Sequence, residues 1–449
     1  MNWKSIIRGP ASIPLVILAV VASTFFIGFG GGVIFPILPN LGAVLGISAF
    51  MVGFILSANR WTRLIASAPA GALVDRFGTR KPFIYGLLIE GIGTFGYVLA
   101  LLMPDPTRFA WVAQALPAGS IGPLTVGYDL WFFIISGIVA PETWFLLSRG
   151  LWGIGSAAVF ATAYTIAADV SDGDSRGMNM GIVRAGILLG FPTGLVLGGI
   201  VSSIAGEIIA FLVAAIFALI ASIVAYLFVP ETHVTELERS AIKPWEIETS
   251  IPTLTVGLVN FGLMFAYLGA LFATLVLFLD AREMFLFGLD AQGTSGLFMA
   301  GTVIAAGITM IIGGRISDLR ASRVPILIIF LILSFVGFLL LARTATFFDL
   351  LIACVFIGAG QGGTSAPMMA LLADLTPDER MGRASGTNNV FGDIGGGLGP
   401  MVSLPLIEVV GFAPIYIVCA FIPLLAGLVL LVGVRRETGT YYPGKTMAD

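Results

Sequence analysis

Residues 71–82 read GALVDRFGTRKP, and residues 314–325 read GRISDLRASRVP. A glycine, an aspartate, a later arginine and a proline occupy the same places in both segments without a gap. Each segment directly follows an apolar run long enough to cross a hydrocarbon core, which takes about 20 residues. Two matching segments at corresponding places predict that the chain consists of two homologous halves.

The composition indicates that lipid surrounds most of the chain. Of its 449 residues, 57% are hydrophobic and only 11% are charged, whereas about a quarter of the residues in a soluble domain are charged. Apolar runs of spanning length recur from one end to the other, separated by short polar segments. We therefore predict an all-α polytopic membrane protein with 12 transmembrane helices in two six-helix bundles.

The polar segments predict the domain boundaries. Residues 1–230 form the first bundle, residues 231–249 a charged cytoplasmic linker, and residues 250–449 the second bundle. Within the first bundle, the proline-rich residues 104–142 predict an extracellular excursion between the third and fourth spans.

The distribution of lysine and arginine predicts the orientation, because these residues gather on the cytoplasmic side. With the amino terminus inside, the outer segments hold only Arg108, Arg282 and Arg343. We expect both termini in the cytoplasm and, by default, a plasma membrane location. The net charge of -3 is too small to indicate a nucleic-acid partner.

Catalytic and cofactor motifs are absent from the sequence. It contains no Gly-x-x-x-x-Gly-Lys-Ser/Thr phosphate loop, and its one histidine, His233, cannot form a His-Glu-x-x-His metal site. We therefore expect no ATP-driven step, no metal, no cofactor and no enzymatic activity.

The two matching segments resemble the loop signature of the major facilitator superfamily, Gly-x-x-x-Asp-Arg/Lys-x-Gly-Arg/Lys-Arg/Lys. The pattern Arg149-x-x-x-Gly153-x-Gly155 and the tripeptide after the sixth span, Pro230-Glu231-Thr232, are also similar to that family. The resemblance is to its drug/proton antiporter-like branch. It implies a secondary transporter whose two bundles rock about a central cavity, in a family that carries drugs, sugars and anions.

The charged loops also predict a conformational latch. An aspartate beside several bases can hold the cytoplasmic ends of the bundles together in one state and release them in the other. A basic loop that only sets topology is the alternative. The predicted latch residues are Gly71, Asp75, Arg76, Gly78, Arg80, Asp318 and Arg323.

A glycine recurs at every fourth position of the fifth span. Such a stripe lets another backbone approach closely in lipid, so we predict a helix-packing surface there. It forms either a sliding contact between the halves or ordinary close packing. The pattern is similar to the glycine-proline motif of drug-proton antiporters, although Pro192 does not directly follow a glycine. The stripe consists of Gly186, Gly190, Gly194 and Gly198.

Ionisable residues inside the spans are costly and usually face a cavity or a partner. Arg60 and Arg63 share one face of the second span, and Glu90 on the third span reaches the depth of Arg63. We predict an Arg63–Glu90 ion pair, which leaves Arg60 free to bind an anionic group of a substrate. We also predict an ion pair between Arg184 and Asp169.

Further candidates for substrate and proton sites lie in the fourth, tenth and eleventh spans. By resemblance, Arg149 takes part in proton coupling or binds substrate. Asp393, a carboxylate deep in the second half, is a candidate to exchange a proton, together with Glu90. Asn389 lies four residues earlier on the same helical face, and Gln361 is a weaker candidate to line the cavity.

The leading functional hypothesis is proton-coupled efflux of an anionic or amphipathic organic solute. The expected partners are that solute, protons and the lipid bilayer, and the expected active form is a monomer. An anion facilitator or importer without a proton step is the first alternative, and its flux would ignore a pH gradient. A transport-dead receptor on the same fold is the second.

Overall fold

The structure is a computed structural model, and it describes residues 15–102, 140–171, 176–232, 247–320 and 322–444, without the side chains of residues 75, 176–178 and 378. Most of the predicted excursion and most of the predicted linker, including His233, lie outside the described residues. The described part contains twelve long helices: α1 (Leu15–Val44), α2 (Ala49–Phe77), α3 (Arg80–Leu102), α4 (Pro141–Asp169), α5 (Arg176–Ala205), α6 (Glu207–Phe228), α7 (Ile251–Ala281), α8 (Ala291–Leu319), α9 (Val324–Ala342), α10 (Phe347–Leu375), α11 (Asp378–Val410) and α12 (Phe412–Thr438).

Eleven of these described helices are long and apolar enough to cross a membrane. The exception is α2, whose apolar character is diluted by Arg60 and Arg63 near its middle. Helices α1–α6 pack mainly on one another, and so do α7–α12. The predicted all-α fold of two six-helix bundles is confirmed.

Short connections make neighbouring helices antiparallel. Between α1 and α2, Gly46 adopts φ +71°, and the Ser48 hydroxyl accepts a hydrogen bond from the Met51 amide, which caps α2. As a result, α2 and α12 end on the same side of the protein. We call that side the terminal face and the other side the opposite face.

The two halves touch near the opposite face. The described hydrogen bonds between the halves come from two regions of the first half. One region is the part of α2 up to Arg63. The other begins at Ser202 and comprises the end of α5 and the start of α6. Toward the terminal face, a Cβ added at Gly71, Gly181 or Gly382 would meet no atom within 4 Å. The cleft between the halves is therefore closed at the opposite face and open toward the terminal face.

The glycine stripe of α5 packs against α1. A Cβ added at Gly186 would lie 2.7 Å from the carbonyl oxygen of Val21, and one added at Gly198 would lie 2.8 Å from Cα of Val33. The two intervening glycines meet carbonyl groups of α1 in the same way. The alternative of a sliding contact between the halves is wrong in this structure, because both helices belong to the first bundle.

A π-helical turn, Phe265–Leu271, interrupts α7. The carbonyl oxygen of Gly269 in this turn accepts a hydrogen bond from the Ser403 hydroxyl of α11 at 3.2 Å. Directly after the turn, Phe272 stacks on Phe191 of α5, with ring centroids 6.2 Å apart. The turn therefore separates a part of α7 that packs within its own half from a part that contacts the first half.

The α1–α5 contact predicts a difference between two glycine substitutions on one helix. In Gly194→Ala the new methyl would meet the Phe29 carbonyl group, and such overpacking costs about 1–3 kcal/mol. Gly181→Ala on the same helix places its methyl in open space and improves helix propensity. We expect a lower apparent melting temperature in detergent for Gly194→Ala only. Equal melting temperatures for the two variants would contradict the packing described.

Candidate functional site

An ionic cluster joins the two halves at the end of their contact that lies nearer the terminal face. Nη1 of Arg60 lies 3.1 Å from Oδ1 of Asp393. Nε of Arg63 donates to Oδ2 of Asp393 at 3.2 Å, and its Nη2 donates to Oδ1. The spacing of three residues places both arginines on one face of α2. A single carboxylate of α11 therefore holds two guanidinium groups of α2.

Glycines of α11 make room for this cluster. A Cβ added at Gly396 would lie 2.9 Å from Cζ of Arg60, and one added at Gly397 would lie 3.1 Å from Cζ2 of Trp61. Because these glycines have no side chains, Arg60 and Trp61 of α2 can approach the backbone of α11. Asp393 lies one helical turn before the glycines, within reach of the Arg60 guanidinium. The glycine-rich stretch of the eleventh span thus positions an inter-bundle ion cluster.

The cluster carries an excess positive charge. Two arginines face one aspartate, and their side chains keep 14% and 22% of their surface exposed, against 15% for Asp393. These groups border the open cleft rather than a dry core. A guanidinium with spare donors binds carboxylates and phosphates well, through short charge-assisted hydrogen bonds.

The predicted Arg63–Glu90 ion pair is wrong in this structure, because Arg63 bonds to Asp393 instead. Both helices α2 and α3 pack on α4 and hardly touch each other, so an equal depth in the membrane does not bring Arg63 onto Glu90. The expectation that Arg60 lacks an acidic partner is also wrong, since Asp393 of the other half serves it.

Glu90 and Arg149 form the second group of buried charges. Glu90 is 1% exposed, and neither carboxylate oxygen has a hydrogen-bond partner. Arg149 is 2% exposed, and its Nε and Nη1 also lack partners. Its guanidinium carbon lies 5.1 Å from the ring centroid of Trp152 and 5.7 Å from that of Phe35. Buried charges without hydrogen bonds are expensive, and within spans they usually mark a functional site.

The motif glycines of α4 position this group. A Cβ added at Gly155 would lie 2.7 Å from Cγ of Glu90, and one added at Gly153 would lie 2.8 Å from Cα of Asn59. Helix α4 therefore lies in close contact with both α2 and α3. Both Arg63 and Arg149 are near enough to Glu90 to act on it electrostatically.

The predicted Arg184–Asp169 ion pair is also not formed. The Arg184 side chain is exposed, and Oδ2 of Asp169 accepts a hydrogen bond from the Thr232 hydroxyl at 3.1 Å. Asp169 ends α4 beside the segment that follows α6, so a hydroxyl of that segment is the nearer donor.

The second half contributes buried amides to the neighbourhood of the cleft. Gln361 places Nε2 3.9 Å from the Met264 sulfur, and its Oε1 has no partner. Asn389 is exposed on α11, while its neighbour Asn388 is buried. Asn388 accepts a hydrogen bond at its backbone oxygen from Asn260 at 2.9 Å, and its own Oδ1 has no partner. Sequence reasoning missed Asn260 and Asn388, because uncharged amides in an apolar run give little signal.

The predicted latch residues of the second half contact each other. Arg323 places Nε 2.6 Å from Oδ2 of Asp374 and Nη1 2.8 Å from Oδ1 of Asp318. The hydrogen bonds to Asp374 and Asp318 raise the pKa of the Arg323 guanidinium, so it stays charged. These bonds tie the ends of α8, α9 and α10 to one another.

In the first half, Glu231 organises the matching loop. Its carboxylate accepts hydrogen bonds from the amides of Thr79 at 2.8 Å and Arg80 at 3.3 Å, which caps the start of α3. Gly78 adopts φ +80°, and a Cβ there would lie 2.5 Å from that carboxylate.

Arg80 and Arg76 of the predicted latch contact neighbours in their own half. Nη2 of Arg80 donates to the Tyr226 carbonyl at 2.8 Å, Arg76 lies over the ring of Phe77, and Gly71 faces open space. The side chain of Asp75 lies outside the described part of the structure. A latch between the halves stays a prediction for the conformation in which the terminal face is closed.

Comparison with known proteins adds three findings. The family model of the Major Facilitator Superfamily matches residues 20–400 and, in a second match, residues 284–446. An MFS-type transporter of Methanocaldococcus jannaschii is 24% identical over 421 residues, 92% of this chain and 97% of that protein. Multidrug resistance protein 2 of Bacillus subtilis is 26% identical over 176 residues, 39% of this chain and 34% of that protein. The chain thus matches about a third of the length of that relative.

A solved structure shows the same fold. It is a bacterial homologue of the human lysosomal transporter Spinster in an inward-facing and unoccupied conformation, and it superposes with a TM-score of 0.71 at 14% identity. The superposition covers 96% of this chain and 99% of the other.

The ionic cluster predicts an order of stabilities among its variants. Asp393→Asn leaves two arginines without a carboxylate, whereas Arg60→Gln leaves the Arg63–Asp393 pair intact. Breaking a fully buried pair costs about 3–5 kcal/mol, and partial exposure lowers this to about 1–3 kcal/mol. We expect the melting temperature of the purified protein to fall more for Asp393→Asn than for Arg60→Gln.

Neutralising the whole cluster supplies the control. Adding Arg60→Gln and Arg63→Gln to Asp393→Asn removes the uncompensated charges, so the triple variant should regain stability. If Asp393→Asn melts no lower than Arg60→Gln, the cluster does not hold the halves together.

Proposed function

The chain belongs to the Major Facilitator Superfamily, and on this premise we propose that it moves an anionic or amphipathic organic solute by proton-coupled efflux. It is a multi-pass membrane transporter of small solutes and not an enzyme. Alternating access follows from the family, with the cleft between the bundles opening to one side at a time.

The proposal that the solute is anionic rests on the excess positive charge at the ionic cluster. Arg60 and Arg63 share a single carboxylate at the edge of the open cleft. A solute carboxylate, sulfonate or phosphate can take over donors from Asp393 with the same bidentate geometry. Two aromatic rings lie beside Arg149. We propose that the rings contact the apolar part of the solute and that Arg149 attracts a second negative charge.

The amides of the second half are the proposed polar contacts of the solute. The unpaired Oε1 of Gln361 is an acceptor for a hydroxyl or amine. Asn389 is exposed on α11, one turn before Asp393.

We propose that the terminal face is cytoplasmic and that the protein works as a monomer in the plasma membrane. The bases between the described helices gather at that face, as the positive-inside rule requires of a cytoplasmic side. Both termini then lie in the cytoplasm, and the described conformation accepts solute from the cell interior. Efflux is supported by the multidrug resistance name of the Bacillus subtilis relative.

For coupling, we propose that Glu90 binds the proton and that Arg149 responds to it. Both carboxylate oxygens of Glu90, and Nε and Nη1 of Arg149, are buried without hydrogen-bond partners, so neutralising Glu90 changes the charge balance around Arg149. A change of this kind biases a carrier between its two conformations. The incoming proton would thereby drive the outgoing solute.

The contacts of Asp393 favour a second candidate, cotransport of the anion and a proton in the same direction. A proton on Asp393 would release Arg60 and Arg63, and the freed arginines would bind the anion more tightly. Proton and solute would then occupy the cluster together. This version predicts import driven by an inward proton gradient.

If Arg60 and Arg63 bind the anion, their substitution should cause a selective loss of anion transport. In proteoliposomes of purified protein, Arg60→Gln and Arg63→Gln should each raise the KM for a transported anion about tenfold to a hundredfold, because charge-assisted hydrogen bonds contribute about 1.5–3 kcal/mol. Arg184→Gln removes an exposed arginine outside the cluster and should transport normally. Unchanged anion flux in both cluster variants would refute the anion site.

The sign of proton coupling separates the two candidates. Solute flux and internal pH are recorded together after an imposed pH gradient, for wild type, Glu90→Gln and Asp393→Asn. Opposite movement of solute and protons, lost in Glu90→Gln, supports efflux. Parallel movement, lost in Asp393→Asn, supports cotransport. Wild-type flux that does not depend on the pH gradient would contradict both candidates. It would support the alternative of an anion facilitator without a proton step.

A further inference from the structure

An apolar groove runs along the terminal half of the first bundle, away from the ionic cluster. It lies between α2 and α3, with α4 as its floor, and encloses about 510 Å³. Several of its side chains are strongly exposed to the surroundings of the protein, as expected of a groove that opens outward rather than an internal cavity. These are Leu73, Phe77, Tyr85 and Ile154.

The groove has the length of one lipid leaflet. Its α2 wall runs from Ala66 to Phe77, and at about 1.5 Å per residue this is roughly 16 Å. The hydrocarbon core of a bilayer is about 30 Å thick. The groove therefore extends from the terminal face to about the middle of the membrane, the depth that an acyl chain of that leaflet occupies.

The mouth of the groove is basic. A second cavity of about 720 Å³ lies there and shares Phe77, Lys81 and Tyr85 with the groove. Its described cations are Arg76, Arg80 and Lys81, and its described acid is Glu231.

Two of the described cations line the cavity with exposed side chains. Glu231 is engaged in capping α3, and Arg80 donates to the Tyr226 carbonyl. The two exposed cations are Arg76 and Lys81, so a negatively charged headgroup at the mouth would meet two exposed positive charges.

We propose that this groove binds an anionic glycerophospholipid of the leaflet at the terminal face. Its acyl chain lies between α2 and α3, and its phosphate lies at Arg76 and Lys81. Basic pockets between transmembrane helices are suited to anionic headgroups, because the attraction acts within a Debye length of the surface. The site is independent of the transported solute, and it places a lipid beside the loop of the predicted latch.

The test is lipid binding to the purified full-length protein, measured by native mass spectrometry. The protein is titrated with phosphatidylglycerol or with phosphatidylcholine of the same acyl chains. We expect phosphatidylglycerol to be retained more strongly. Arg76→Gln and Lys81→Gln should each weaken its binding about fivefold, as expected for one basic residue near an anionic headgroup. Binding of phosphatidylcholine should not change.

Matched variants localise the effect. The pair Arg76→Lys with Lys81→Arg keeps both charges and should keep binding. The pair Arg320→Gln with Arg436→Gln removes two exposed charges at the same face of the second half and should also keep it. Ala66→Phe fills the apolar part of the groove and should lower retention of phosphatidylglycerol. Soluble glycerol phosphate should bind far more weakly than the lipid.

Four results would overturn the proposal. They are equal retention of the two lipids, equal loss of binding in the control pair, undiminished binding in Ala66→Phe, or binding of glycerol phosphate as strong as that of the lipid. The last result would indicate a site for a free phosphate compound at the mouth alone.

Discussion

A charged side chain taken from water into a bilayer is stable only where a partner or a water-filled cavity receives it. In this protein the receiving group for Arg60 and Arg63 belongs to the other half of the molecule, so one carboxylate binds both arginines across the contact between the halves. The cleft cannot open at the opposite face without separating these charges. The energetic requirement that buried charges be paired thereby links the conformation of the cleft to the pairing of these three side chains.

Small residues give this link its geometry. The glycines of α5 bring that helix against the backbone of α1, and the glycines of α4 bring it against α2 and α3. On α11, glycines next to Asp393 leave space for the arginines and for Trp61. Because apolar side chains gain nothing from avoiding lipid, close backbone packing is the main source of affinity between such helices. Close backbone contacts thus hold α2 against α4 within the first bundle.

The fold was predictable from the sequence because the bilayer imposes a length on every span, and the repeated loops reveal the two halves. The site was predictable only in part. Counting residues gives the depth of Arg63 but not the direction in which it points, so its partner was sought on α3 and lies on α11. The glycine stripe from Gly186 to Gly198 predicted a close helix contact, but it did not identify α1 as the neighbouring helix. Asn260 and Asn388 gave no signal, since an amide barely alters the hydropathy of its span.

The π-helical turn of α7 lies between Asn260, which contacts its own half, and Phe272, which stacks on the first half. In such a turn each carbonyl bonds to the fifth following amide instead of the fourth, so the turn contains one residue more than an α-helical turn. Loss of this extra residue from the turn would rotate the outer segment of α7 against the inner segment by about a third of a turn. The helix thus has a built-in torsional joint, through which the outer segment can follow one bundle while its inner segment stays with the other.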